Sequence, residues 1–193
     1  MKKPAVLAIA ALAAAALSVP AASELTTAQS PGRAIAGTGT AGTDADGATP
    51  AQSNAPGGAT AFDPARDAAA DVDAALERAA ATGKSVLLVM GGSWCHDSIA
   101  LADLFASQRF QTMLAPRYEL VFIDVGHRDR NLDIARRFGL AGIEGTPTVL
   151  ILGPDGNPRN LDDAPRWRNA ASRKPDAVYR HFSRAADPVW VAE

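Results

Sequence analysis

Ser85-Val86-Leu87-Leu88-Val89-Met90-Gly91-Gly92-Ser93-Trp94-Cys95-His96-Asp97-Ser98 decides the fold. Ser85 to Met90 is an almost unbroken apolar run, the pattern of a strand buried on both faces. Gly91-Gly92-Ser93 interrupts it, and the residues after Cys95 turn helical, with Leu101, Leu104 and Phe105 on one face. A strand, a glycine break and a helix therefore set a thiol at a helix start. Cys95 is the single cysteine of the chain, so an internal disulfide framework is excluded, and the residue one turn further on is Ser98.

On the N-terminal side, Asp63-Pro64 predicts a helix start, with an N-cap carboxylate and a proline in the first turn. Ala65, Ala69, Val72, Leu76 and Ala80 recur at helical spacing, and Gly83 supplies the stop. On the C-terminal side, Ser107 restarts a helical piece carrying Phe110, Met113 and Leu114, and Tyr118 to Val125 reads as a second strand. Leu132 to Phe138 is a short helix ended by Gly139, and Thr146 to Leu152 is a third strand. Pro154-Asp155-Gly156-Asn157 is a strong turn, followed by a brief fourth strand near Asn160. Ala164 to Ala186 reads as helical in two pieces broken near Pro175. Strand, helix and strand followed by a hairpin imply an α/β fold, a central mixed β-sheet flanked by helices on both faces.

The ends differ in kind. Within residues 1–21, Lys2 and Lys3 precede an apolar stretch from Ala5 to Leu17, and Val19-Pro20-Ala21 offers small residues to a signal peptidase. That stretch is shorter than the roughly 20 residues a membrane-spanning helix needs. The expectation is a bacterial secretory signal, a periplasmic or secreted protein, and no stable membrane insertion after cleavage. Residues 22–61 are rich in Ala, Gly, Thr, Ser, Pro and Gln, and from Ser23 to Ala61 only Leu25 and Ile35 are large aliphatics. Such a segment cannot offset its ordering entropy and reads as a disordered, low-complexity linker ahead of one folded domain over 62–193. A net charge of −2 on 193 residues gives no electrostatic case for nucleic acid or an anionic membrane.

Three features together resemble the thioredoxin-like family: Trp94-Cys95 between a buried strand and a helix, Gly145-Thr146-Pro147-Thr148 ahead of the third strand, and the Phe138-Gly139-Leu140 helix end before it. They cover roughly residues 62–161. The resemblance implies a thioredoxin-like fold, a cis peptide at Pro147, and a Thr146 backbone set beside Cys95, where an extended substrate would pair as in β-strand addition. The chain departs from the family pattern in three places. Ser98 stands where the family has its second cysteine, Val89 where many members keep a buried acid, and Ala141 to Glu144 lengthen the approach to Pro147. The first two changes remove the same half-reaction, which brings the chain nearest to Cys-x-x-Ser members, including relatives of protein disulfide isomerase.

The chemistry expected at Cys95 follows from its place. The thiolate is the nucleophile, and the free N–H groups and dipole of a helix start favour it. A protonated His96 and a hydrogen bond from Ser98 Oγ act in the same direction, and Asp97 opposes them. Thiolate attack on a disulfide gives a mixed disulfide that Ser98 cannot resolve. Release then falls to the substrate's own thiol or to an external small thiol. The expected activity is monothiol thiol-disulfide exchange or isomerisation on disulfide- or thiol-containing exported proteins. Cys95, Ser98, His96 and Trp94 form the catalytic set, with Thr146 and Pro147 binding substrate.

Other readings stay open: a non-catalytic module using the cis-proline groove for a peptide or partner protein, a thiol sensor oxidised to sulfenic acid or capped by a small thiol, or a buried inert cysteine. Trp94 reads either as a shield over the thiol or as half-buried packing. His96, His127 and His181 match no zinc spacing with Cys95, so neither metal nor cofactor is expected. Arg166, Arg168, Arg173, Lys174, Arg180 and Arg184 read as a solvated basic face, or else a docking surface for an acidic partner. Trp167 and Tyr179 read as core, and Asp124 as a loop cap.

Overall fold

The computed structural model describes residues 56–187 and Trp190. The expected signal at 1–21 and nearly all of the expected linker at 22–61 lie outside them. In chain order the elements are α1 (Ala68–Thr82), β1 (Ser85–Gly91), α2 (His96–Ala106), α3 (Gln108–Leu114), β2 (Tyr118–Asp124), α4 (Leu132–Arg137), β3 (Thr148–Leu152) and α5 (Pro175–Ala185). Short 3-10 turns occupy Gly58–Ala61, Ala164–Trp167 and Ala170–Ser172.

The sheet has the order β2-β1-β3, with β1 parallel to β2 and antiparallel to β3. The central strand is buried throughout, and its alternating residues feed two cores. Leu87 and Val89 join Val149, Ile151 and Phe122 beneath α2, α3 and α5. Val86, Leu88 and Met90 join Leu150, Leu152 and Ile123 beneath α1 and α4. Each large aliphatic buried in this way contributes about 1.5–3 kcal/mol. Val89, in the position where a buried acid would face the thiol, is fully enclosed among apolar neighbours.

The structure corrects several expectations. Asp63-Pro64 makes a turn rather than a helix start: Asp63 Oδ1 accepts from Ala65 N at 2.9 Å. The N-cap is Asp67, whose carboxylate accepts from Ala70 N at 3.0 Å. The buried face of α1 is Ala68, Val72, Ala75 and Ala79, whereas Ala65, Ala69 and Ala80 are exposed. A helix this rich in alanine has little contrast between its faces, so spacing alone fixes its phase poorly. The Gly58–Ala61 turn, just before Phe62, buries Ala61 in the α2-side core. Ala164 to Arg173 holds two 3-10 turns instead of one helix, and the second helical piece, α5, opens at Pro175, where the break was expected.

The expected fourth strand is absent among the described residues, and a side chain does its work. Asn160, 1% exposed, accepts from Ile151 N at 2.8 Å and donates from Nδ2 to Val149 O at 2.9 Å. Arg159 N donates to Ile151 O at 2.9 Å, and Leu152 and Pro158 form a single bridge. The outer edge of β3 is therefore satisfied by one amide and a short backbone contact.

The C-terminal segment closes over α2 through an aromatic cluster. Trp167 stacks on Phe182 at 4.7 Å, and His181 packs edge-on against Trp167 and Trp190. His181 Nε2 is buried without a hydrogen bond, 3.7 Å from Asp163 Oδ2. Burial holds the His181 imidazolium below its ordinary pKa; Asp163 opposes this and Arg173 adds to it.

Two predictions follow from these packing details. Asn160→Leu strands the buried Ile151 N–H and Val149 C=O, and should cost about 3 kcal/mol in urea unfolding; an unchanged midpoint would mean the edge is held elsewhere. Because folding lowers the His181 pKa, the unfolded chain takes up the proton first. Its contribution to stability is therefore complete above about 6.5 and declines as pH falls from there through the lower folded-state value. Denaturation at pH 7.5 and 5.5 should show this loss in the parent chain and a smaller one in His181→Gln.

Candidate functional site

The site is built on the two glycines that end β1. A Cβ on Gly91 would lie 2.6 Å from Ser98 Oγ and 2.7 Å from the Phe62 ring, so only glycine lets the first turn of α2 sit so close to the strand. A Cβ on Gly92 would lie 2.6 Å from Trp94 Nε1, so the indole folds back over that backbone. Cys95 N donates to Gly92 O at 3.0 Å, closing the turn, and Ile99 N donates to Cys95 O at 3.0 Å, opening the helix. Cys95 is thus the N-cap of α2, in extended conformation at φ −91° and ψ 116°.

Cys95 is buried, and its thiol donates to Thr146 O at 3.3 Å. The Thr146–Pro147 peptide is cis, and Thr148 Oγ1 donates to Gly145 O at 2.8 Å, tightening the loop behind it. Burial pushes the thiol pKa up. Hydrogen bonds from the Ser98 and Thr146 side chains and from the Ser98 and Asp97 backbone outweigh that, and the pKa lies below the ordinary value. Ser98 is fully buried, and its Oγ has no partner of good geometry while the sulfur is protonated. A buried hydroxyl without a partner is costly, and turning it toward a thiolate removes that cost. The Thr146 carbonyl works the other way, since it accepts only from the neutral thiol.

Four sequence-selected residues therefore meet here: Cys95, Ser98, Thr146 and Pro147. The other two point elsewhere. Trp94 is 50% exposed, its Nε1 donates to Gly126 O at 2.8 Å, and its ring stacks on His127 at 4.9 Å. It braces the loop after β2 instead of covering the sulfur. His96, the first residue of α2, is exposed, and the groups that lower the thiol pKa do not include it. Asp97, expected to oppose the thiolate, accepts from Ala171 N at 2.9 Å and ties α2 to the C-terminal turns. Asp124 ends β2 and ties down the loop after it: its carbonyl accepts from Asn131 Nδ2 at 2.8 Å, and Arg130 lies 3.5 Å from its carboxylate.

Arg128, which the sequence did not single out, and Arg168, read there as part of a basic face, also reach the rim. Arg128, at φ 72°, donates to Glu144 O at 3.3 Å. The stem of Arg168 lies over Gly145, where a Cβ would meet its Cδ at 3.1 Å. No local signal foretold either contact, because they depend on how the 3-10 turns fold back. Among the described residues, no group of three or more His, Cys, Asp or Glu side chains is arranged to hold a metal ion.

Comparison with known proteins agrees with this geometry. A family model described as thioredoxin-like matches residues 67–154. The crystal structure of a disulphide isomerase from Xylella fastidiosa Temecula1 aligns at 32% identity and a TM-score of 0.62, covering 65% of this chain and 96% of that one. An HIV epitope-scaffold aligns at 26% identity over 66% of this chain and 98% of its own, with a TM-score of 0.32. A Pseudomonas aeruginosa protein of unknown function aligns at 25% identity over 61% and 78%, with a TM-score of 0.30; scores so low say nothing about the fold. No curated protein matches the chain. A mixed three-stranded sheet between two helical layers, a thiol at the start of α2 facing the loop ahead of β3, and a relative aligned over nearly its whole length identify the chain as a member of the thioredoxin-like family.

Proposed function

We propose that the protein is a thiol-disulfide oxidoreductase of the monothiol kind, exchanging or isomerising disulfides of exported proteins through Cys95. The observation that carries this reading is the placement of Cys95 Sγ at the N-terminus of α2, with the buried Ser98 hydroxyl and the Thr146 side chain able to favour its anion. The likeness to a disulphide isomerase supports the same class of chemistry.

In this reading the Cys95 thiolate attacks one sulfur of a client disulfide. A Cys95–client disulfide forms, and the client's other sulfur leaves as a thiolate. Ser98 carries no thiol, so the enzyme cannot resolve this species itself. A second client thiolate attacks the client sulfur of the mixed disulfide, which leaves a rearranged client disulfide and regenerates the Cys95 thiolate. An external small thiol can attack in the same way and leave with the client as a mixed disulfide. Thr146 and Pro147 form the wall along which an extended client segment lies, and Trp94 holds the adjoining loop in place. The partners are disulfide- or thiol-containing proteins outside the cytoplasm, and the site of action is the periplasm or the exterior. Domain limits of 1–21, 22–61 and 62–193 belong to the same proposal.

A specific observation favours a second reading, a binding module without chemistry. Cys95 as a residue is 9% exposed, its thiol proton engages Thr146 O, and an apolar Val89 stands where an acid could receive a proton.

Alkylation separates the two readings. The rate of Cys95 modification should rise with pH with a midpoint below the free-cysteine value of about 8.5. Ser98→Ala should move that midpoint up, since it removes a hydrogen bond that lowers the pKa. A midpoint at or above the ordinary value would favour the binding module. Cys95→Ala should abolish disulfide exchange, and Ser98→Cys should confer dithiol reductase activity. Full exchange activity in Cys95→Ala would defeat the proposal.

A further inference from the structure

Two arginines from distant parts of the chain touch the loop that faces the sulfur, Arg168 through its stem and Arg128 through its guanidinium. Arg168 follows the Ala164–Trp167 turn, and its stem crosses Gly145, the residue directly before Thr146. A Cβ on Gly145 would meet Arg168 Cδ at 3.1 Å and Cβ at 3.3 Å, so the missing side chain at Gly145 makes room for the arginine. Arg128 grips the adjacent residue through Glu144 O at 3.3 Å, from a left-handed backbone at φ 72° that a residue with a side chain rarely adopts.

Several arginines elsewhere on the surface are matched by acids: Arg66 with Asp71, Arg78 with Glu119, Arg109 with Asp176, and Arg137 with Asp73. Arg168 is exposed, and among the described residues no carboxylate pairs with it. The acids nearest the site have other bonds: Asp97 to Ala171 N, Asp129 to His127 N, and Asp124 near Arg130. Glu144 is exposed on the loop itself and is the acid that opposes this local excess of positive charge.

We propose that Arg168, supported by Arg128, selects disulfides that carry a carboxylate beside the reacting sulfur. The inference rests on the reading of Cys95 as the nucleophile. In the exchange step the Cys95 thiolate bonds to the acid-flanked sulfur, the old S–S bond breaks, and the other half leaves as a thiolate. The guanidinium holds the carboxylate through charge-assisted, fork-shaped hydrogen bonding and takes no part in the electron transfer. Two sources present this chemistry: an extended client segment with Asp or Glu next to cysteine, and a small thiol bearing carboxylates, such as glutathione.

The test measures by mass the rate at which the full chain acquires a Cys95 adduct. The probes are capped peptide disulfides with Asp or Asn before the cysteine, and glutathione disulfide. At low salt the Asp peptide should react about tenfold faster than the Asn peptide, the low end of what electrostatic steering gives, and the gap should shrink as salt rises. Arg168→Gln, which keeps much of the stem over Gly145, should close the gap, and Arg168→Lys should restore part of it. If glutathione disulfide shares the Arg168 dependence, small thiols belong to the class; if only the Asp peptide does, protein clients are the source. Equal rates for Asp and Asn peptides in the parent chain, with glutathione disulfide indifferent to Arg168→Gln, would overturn the inference and leave Cys95 chemistry standing. Absence of any adduct would overturn both.

Discussion

The approach of α2 to the end of β1 is the contact on which the rest of the site depends. It exists because Gly91 has no side chain where Ser98 Oγ and the Phe62 ring sit. With that seat taken, the first turn of α2 is fixed against the central strand, and Cys95 reaches the Thr146 carbonyl across 51 residues of sequence. An alanine at Gly91 would push the helix away from the sheet, separate the sulfur from the loop, and loosen the core layer that Leu101 and Phe105 share with Val89. The packing constraint and the chemistry therefore lie in one backbone contact.

The sulfur has different partners in its two protonation states. As a thiol it donates to the Thr146 carbonyl, and Ser98 Oγ is left without a bond. As a thiolate it can accept from the Ser98 and Thr146 hydroxyls and from the backbone N–H groups of the helix start, and the Thr146 carbonyl loses its donor. Each state strands one buried polar group that the other satisfies. Such a balance suits a group that must pass between neutral, anionic and covalently bonded forms.

The sequence made the central strand, the glycine break and the thiol at a helix start legible, because each depends on neighbours within a few residues. The apolar run of β1 could be read at once, since burial on both faces leaves little room for polar residues. The phase of α1 was harder to read, because alanines on its inner and outer faces look alike. The fourth strand expected near Asn160 fails for another reason: an asparagine side chain imitates a strand, and hydropathy cannot distinguish that from a loop. Trp94 and Arg168 were placed by contacts with Gly126 and Gly145, which no spacing rule links to them.

The amide of Asn160 has a consequence for how the molecule meets other chains. An unpaired strand edge is a template for unwanted association, and proteins that keep one must blunt it. Here the outer side of β3 is occupied from Val149 to Leu152 by a side chain and a short backbone contact, so a passing extended chain finds no free ladder there. The Thr146–Pro147 end lies just before this plug, where the thiol bonds to the Thr146 carbonyl. The edge is thus guarded along β3, and the guard stops short of the backbone next to the sulfur.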